Sequence, residues 1–212
     1  MRKWRDRGEA GQELAEALAE YEDEEAIVYG LPRGGVVLAA EVAKALGAPL
    51  SLIIPRKIGH RFNPEYAIGA VTEKGEVILN EGEITDRDRP WVEKEVTAQR
   101  REAARRRQLY LEGRQPPDPK GKIAIIVDDG VATGYTLRAA ISDIKLRRPA
   151  KIVVTVPVIP EDTADDIEHD HDVELVALKR EDHFMGAVGN YYEYFEQVED
   201  TEVIDLLASA DN

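Results

Sequence analysis

The sequence predicts an α/β fold: a doubly wound parallel sheet of about five strands flanked by helices. Short, mostly apolar, branched runs recur at 26–30, 50–54, 123–127, 151–158 and 173–178, and the run at 123–127 is continuous. Such runs mark strands buried on both faces. The first two are joined by a glycine loop and a helical pattern within about 30 residues, the length of a right-handed βαβ unit. The central run, 123–127, ends in two adjacent carboxylates and a loop of small residues leading into a helix, a common plan for a ligand site in such sheets.

At 212 residues the chain has the length of one domain, 1–212, and can bury a substantial core. Cysteine is absent, so disulfide and thiolate chemistry are excluded. No apolar run reaches a membrane-spanning length, and the first residues lack the apolar segment of a signal peptide. A soluble, cytoplasmic protein is expected. The net charge of −14 is uneven: residues 1–25 hold 4 basic and 9 acidic side chains, and residues 161–212 hold 2 and 17. The middle, 26–160, is net positive with 22 basic and 16 acidic groups, so an anionic substrate is drawn there. The overall acidity argues against nucleic-acid binding.

Residues 11–22 place Leu14, Ala15, Leu18, Ala19 and Tyr21 near helical spacing, predicting an amphipathic helix. Strand 26–30 runs into Gly30-Leu31-Pro32-Arg33-Gly34-Gly35, and helix 36–46 follows, closed by Gly47. Glycines let this loop's backbone close on oxyanions, and Arg33 adds a guanidinium fork; an ordinary strand-to-helix turn is the alternative. After strand 50–54, glycine, proline and the side chains of Arg56, Lys57, His60 and Arg61 suggest a mobile loop rather than a packed element. Arg56 and Lys57 stand at a strand end, where a parallel sheet gathers its ligands. Residues 68–80 form two strand-like runs about Lys74-Gly75, a hairpin.

A long helix opens at Asp88 or Arg89, with Pro90 in its first turn, and runs to about Leu111. Its apolar stripe (Val92, Val96, Ala103, Ala104, Leu111) is thin. Arg100, Arg101, Arg105, Arg106 and Arg107 lack interleaved aromatics, so a solvated or subunit-facing helix is expected rather than an RNA grip. Residues 115–121, rich in proline, form a stiff connector.

Strand 123–127 ends at Asp128 and Asp129, and the loop Gly130–Thr136 opens helix 137–146. Loop amides at a helix start converge on one point, with the helix dipole behind them, and suit a phosphate. The hydroxyls of Thr133 and Thr136 add donors. Two carboxylates beside a phosphate site make sense when the ligand also carries a diol or a magnesium ion, because an ionised carboxylate only accepts hydrogen bonds. Phosphate, diol and chelated metal together describe a ribose phosphate. Downstream, a strand at 151–158, a short helix from 161 and a strand at 173–178 complete the sheet. His169 and His171 point one way on an extended segment, but no third ligand at useful spacing follows, so a polar connector is expected rather than zinc. Residues 182–195 hold five of the thirteen aromatics, read either as a helix packed on the core or as a hood that stacks on a flat ligand, with Phe184 the stacking residue.

Val127-Asp128-Asp129-Gly130-Val131-Ala132-Thr133-Gly134-Tyr135-Thr136 resembles the 5-phosphoribosyl-1-pyrophosphate (PRPP) motif of type I phosphoribosyltransferases. The likeness extends from the Gly30–Gly35 loop to the Val188-Gly189-Asn190-Tyr191-Tyr192 region, and in that extent the chain is similar to the branch called "predicted phosphoribosyltransferase". The resemblance implies transfer of the phosphoribosyl group of PRPP to a nitrogenous, nucleobase-like acceptor with release of pyrophosphate, in a homo-oligomer. Gly130, Val131, Ala132, Thr133, Gly134, Tyr135 and Thr136 would hold the 5′-phosphate. Asp128 and Asp129 would hold the ribose hydroxyls and, through them or water, Mg2+. Pro32, Arg33, Gly34, Arg56 and Lys57 would bind pyrophosphate, with a cis peptide between Pro32 and Arg33. Residues 56–80 would form a closing flap, with Glu65 as a general acid or base. Residues 181–212 would form a small C-terminal hood presenting Phe184. Enzymes for 6-oxopurines commonly carry an acid just before the Thr-Gly pair; Ala132 stands there, which disfavours that acceptor. A PRPP-sensing regulator and a ribose-phosphate hydrolase or phosphorylase use the same ligands and stay open.

Overall fold

The computed structural model describes residues 2–169 and 173–210. His171, with Asp170 and Asp172, lies outside the described residues.

Helix α1 (Arg7–Ala17) starts four positions before the expected 11–22 helix. Asp6 caps it, its Oδ1 accepting from the Glu9 amide at 2.9 Å, which satisfies an amide that the helix itself cannot. Strand β1 (Ala26–Gly30), helix α2 (Gly34–Leu46) and strand β2 (Leu50–Leu52) form the expected βαβ unit. Gly47 closes α2 in the left-handed region, at φ 60°.

The next segment differs from expectation. Strands β3 (Arg56–His60), β4 (Asn63–Val71) and β5 (Ile78–Leu79) form an antiparallel sheet in that order, so residues 56–71 are a hairpin rather than an irregular loop. Ile58, Ile68 and Val71 point inward and bury with Ile84 and Val92 in a small core of their own. Helix α3 (Arg89–Leu111) flanks that sheet. Its arginines are not a free basic face. Arg100 donates to the carbonyls of Thr72, Glu73 and Gly75, Arg107 pairs with Glu73, and Arg105 and Arg106 share Glu102.

Strand β6 (Ile123–Val127), helix α4 (Tyr135–Lys145), strand β7 (Lys151–Pro160), helix α5 (Glu161–Glu168), strand β8 (Val173–Glu181) and helix α6 (Asp200–Ser209) complete the chain. The central sheet has the order β2-β1-β6-β7-β8, with every pairing parallel. Alternate strand residues feed two cores. Val28, Ile125, Val127 and Val153 join α1 and α2 on one face; Ile27, Tyr29, Ala124, Ile126 and Val154 join α4 and α5 on the other. Burial on both faces explains the unbroken apolar run of β6.

The N-terminus is tied down by the tail. Trp4 is buried and pairs with Tyr192, its amide donating to the Tyr191 carbonyl at 3.0 Å. The Glu193 and Tyr194 amides donate to the carbonyls of Trp4 and Arg5.

Candidate active site

The strand order reverses direction between β1 and β6, where the crevice of a doubly wound sheet opens at the strands' carboxyl ends. Gly30 and Val127 are register partners there, so the loops leaving β1 and β6 start side by side. The peptide bond between Pro32 and Arg33 is cis. A Cβ on Gly34 would stand 1.8 Å from Asp129 Oδ2, and one on Gly35 would stand 2.7 Å from the Val127 carbonyl oxygen. Glycine is required at both positions because the first loop lies directly on the acidic pair.

Asp128 and Asp129 are adjacent and half-buried, and the Asp129 amide donates to Asp128 Oδ1 at 2.9 Å. Burial, then the neighbouring Asp129, pushes the Asp128 carboxyl well above the usual carboxylate range. Burial raises Asp129 too, opposed by Arg7. Arg7 Nε lies 2.8 Å from Asp129 Oδ2, with both side chains mostly buried. The Arg7 guanidinium also donates to the Glu196 carbonyl at 2.7 Å and covers the Phe195 ring, 3.8 Å from its centroid. Tyr192 donates its hydroxyl to the Asp129 carbonyl at 2.7 Å.

In the Gly130–Thr136 loop, Val131 departs from expectation. Its amide donates to the Val158 carbonyl at 2.9 Å and its side chain is core, so it has no N–H for a phosphate. Among the described residues, no hydrogen bond reaches the amides of Ala132, Thr133 and Gly134, and those of Tyr135 and Thr136 open α4 ahead of its internal bonding. Ala132 and Thr133 are exposed. Gly134, at φ 72°, turns the chain into the helix, and Gly130, at φ 147°, leaves no room for a Cβ against Val188. The loop is braced from behind by Thr163 Oγ1, 3.3 Å from the Ala132 carbonyl.

The basic residues separate. Arg33 is near Glu199 and Asp200, at 3.8 and 3.6 Å. Arg56 donates to Gln99 on α3 at 3.0 Å. Lys57 departs from the expected grouping with Arg56: it bonds the Glu65 carboxylate at 3.2 Å within the hairpin, because consecutive strand residues face opposite ways. Glu65 itself is almost fully exposed. Phe184 is half-buried, its ring 5.3 Å from that of Tyr191. A cavity of about 830 Å³ beside Lys151 and Glu174 lies at the other, amino-terminal edge of the strands, away from all these groups.

Arg7 and Tyr192 escaped the sequence reading. Their partner is Asp129, 122 and 63 positions away, and no local pattern announces such a contact.

A family model described as the phosphoribosyl transferase domain matches residues 3–194. The chain belongs to this family. The matched span includes Arg7, both site loops and Tyr192. The chain is 40% identical over 212 residues to two Mycobacterium tuberculosis proteins, of strains CDC 1551 and H37Rv, each provisionally named a phosphoribosyl transferase. The alignment covers 99% of this chain and 47% of each relative, so the chain spans about half the length of the curated relatives it matches. It also resembles the crystal structure of TT1426 from Thermus thermophilus, with 40% identity, 99% coverage of both chains and a TM-score of 0.81. No described helix is long and apolar enough to cross a membrane.

Proposed function

We propose that this phosphoribosyl transferase domain moves the 5-phosphoribosyl group of PRPP to a nitrogen of a nucleobase-like acceptor and releases pyrophosphate. One observation carries the reading. Unpartnered amides at Ala132–Gly134 continue from a half-buried acid pair that touches the loop bearing Arg33. Phosphate, diol and diphosphate thereby find donors, acceptors and a guanidinium in one crevice.

In this reading the amides from Ala132 to Thr136 and the hydroxyls of Thr133 and Thr136 hold the 5′-phosphate at the start of α4. Asp128 accepts hydrogen bonds from the ribose hydroxyls. Asp129, already held by Arg7, accepts with its remaining oxygen. Arg33 and Arg56 stabilise the leaving diphosphate. The C1–O bond to pyrophosphate breaks, its electron pair leaves with the diphosphate, and the acceptor nitrogen bonds to C1. Glu65 takes the acceptor's proton once the flap has carried it and Lys57 inward; closure also excludes water from the cation-like sugar. Phe184 supplies a stacking face for the acceptor, and Ala132 leaves no acid for a 6-oxopurine. Two adjacent acids are too few for an all-protein cage and fit a magnesium ion that keeps water and substrate oxygens as ligands. Asp128 and Asp129 would hold such an ion, which would supply positive charge beside the diphosphate.

The test is pyrophosphate release from PRPP with Mg2+ across a panel of nucleobases. Release with one base supports transfer. Release without any base identifies a hydrolase, and binding without release identifies a sensor; either result overturns the proposal.

A further inference from the structure

Arg56 and Lys57 project to opposite faces of the flap hairpin, and only Arg56 reaches α3. The α3 face that receives it carries Gln99, Glu102, Arg106 and Tyr110, spaced three or four residues apart and hence in line along the helix. Gln99 docks Arg56. At the other end, the buried Tyr110 donates its hydroxyl to Asp200 Oδ1 at 2.7 Å, and the same oxygen lies 3.6 Å from Arg33 Nη1. Arg106 therefore stands on the helix between the point where Arg56 docks and the point where Arg33 approaches. Its side chain is only 25% exposed, and its Nε bonds Glu102 Oε1 at 2.9 Å.

We propose that Arg106 is a pyrophosphate-binding residue, completing with Arg33 and Arg56 a cradle of guanidinium groups from three separate elements of the chain. The inference rests on the transferase reading above and replaces Lys57 with a residue of α3.

Like charges gathered in one place need a reason. Burial, and then the field of Arg106, holds Arg56 below the usual guanidinium range. The patch is balanced by Glu102 on α3 and by Glu199 and Asp200 at the start of α6. The pairs that Arg33 makes with Glu199 and Asp200 are long, 3.8 and 3.6 Å, and both acids are well exposed, so they hold it weakly. A diphosphate brings more charge and pairs bidentately with each planar fork, which a lysine ammonium does not. Glu199 and Asp200 are then the resting counter-ions that the diphosphate displaces.

The test is calorimetric titration of the full chain with inorganic pyrophosphate and, separately, ribose 5-phosphate. Arg106→Gln, which keeps most of the stem, is expected to weaken pyrophosphate about tenfold or more and leave ribose 5-phosphate unchanged. Arg106→Lys recovers part of the loss, and Asp200→Asn tightens pyrophosphate. Unchanged ribose 5-phosphate affinity also reports that each variant is folded. The inference is overturned alone if the wild-type chain binds both probes and Arg106→Gln binds pyrophosphate as tightly. If the wild-type chain binds neither probe, the transferase reading falls with it.

Discussion

Arg7 and Asp129 meet at 2.8 Å across 122 positions of sequence, and the arginine closes one side of the acid that ends the central strand. Two adjacent, half-buried acids repel each other. Arg7 offsets one of them, and Phe195 and the Glu196 carbonyl hold the guanidinium in place. Arg7 thus joins the N-terminal helix to the tail at the site.

Removing that side chain leaves Asp129 buried without its cation. Arg7→Ala is expected to destabilise the fold by about 3 kcal/mol in urea denaturation and to weaken PRPP binding. Arg7→Lys restores the charge but lacks the fork that reaches the Glu196 carbonyl, so it recovers only part. In a double-mutant cycle with Asp129→Asn, the two losses should overlap rather than add. Additive losses would show that the pair is not coupled.

Gly34 sets a steric condition on the same acid. A methyl group there would lie 1.8 Å from Asp129 Oδ2 and 2.8 Å from Arg7 Nε. The carboxylate is short and already held, so the loop must move instead. Gly34→Ala is expected to cost about 1–3 kcal/mol and at least about a tenfold loss of PRPP affinity, which is about 1.4 kcal/mol of binding. Gly82→Ala, whose Cβ meets only Asn80 Oδ1 at 3.4 Å, is the control with near-unchanged stability. Equal behaviour of the two variants in calorimetry would remove the steric argument.

The βαβ unit, the strand 123–127 and the loop after it were legible because their signals are local: branched apolar runs, glycines at a turn, acids at a strand end. The cis bond at Pro32–Arg33 came from family likeness. The hairpin at 56–71 was hidden because its strands are polar along one side and its small core is completed by Ile84 and Val92 from beyond it. Arg56 and Lys57 looked equivalent as neighbours, yet a strand sends them apart. Arg100 and Arg107 of α3 looked solvated because their acceptors are backbone carbonyls and an acid outside the helix's own pattern.

Glu102 makes stability depend on acid pH. Its hydrogen bonds to Arg105 and Arg106 hold its carboxyl down, from an ordinary 4.5 to about 2. A carboxyl depressed in the folded state contributes its stability in full above the unfolded value and loses it as pH falls through the folded one. The wild-type advantage over Glu102→Gln should therefore be constant above about pH 5 and shrink between about 4.5 and about 2. The groups are near the surface, so the advantage is expected at about 1 kcal/mol or less, falling with salt. Denaturation midpoints of both proteins across that range give the answer; a gap that widens toward low pH has the wrong sign.

Arg100 joins the flap sheet to α3. Its two terminal nitrogens reach the carbonyls of Thr72, Glu73 and Gly75 at 3.3, 3.0 and 2.9 Å. These carbonyls lie just past β4, where the hairpin turns back toward β5. Hydrogen bonds from a charged donor contribute about 1.5–3 kcal/mol each when buried, less when part-exposed as here. Arg100→Ala is expected to loosen this joint first, because local opening precedes global unfolding where contacts are few. Amide hydrogen exchange should speed up from residue 56 to 79 and stay unchanged in β1, β6 and β7. Arg101, exposed on the same helix, serves as the control. Faster exchange spread evenly over both sheets would mean that Arg100 supports the whole fold and not the flap.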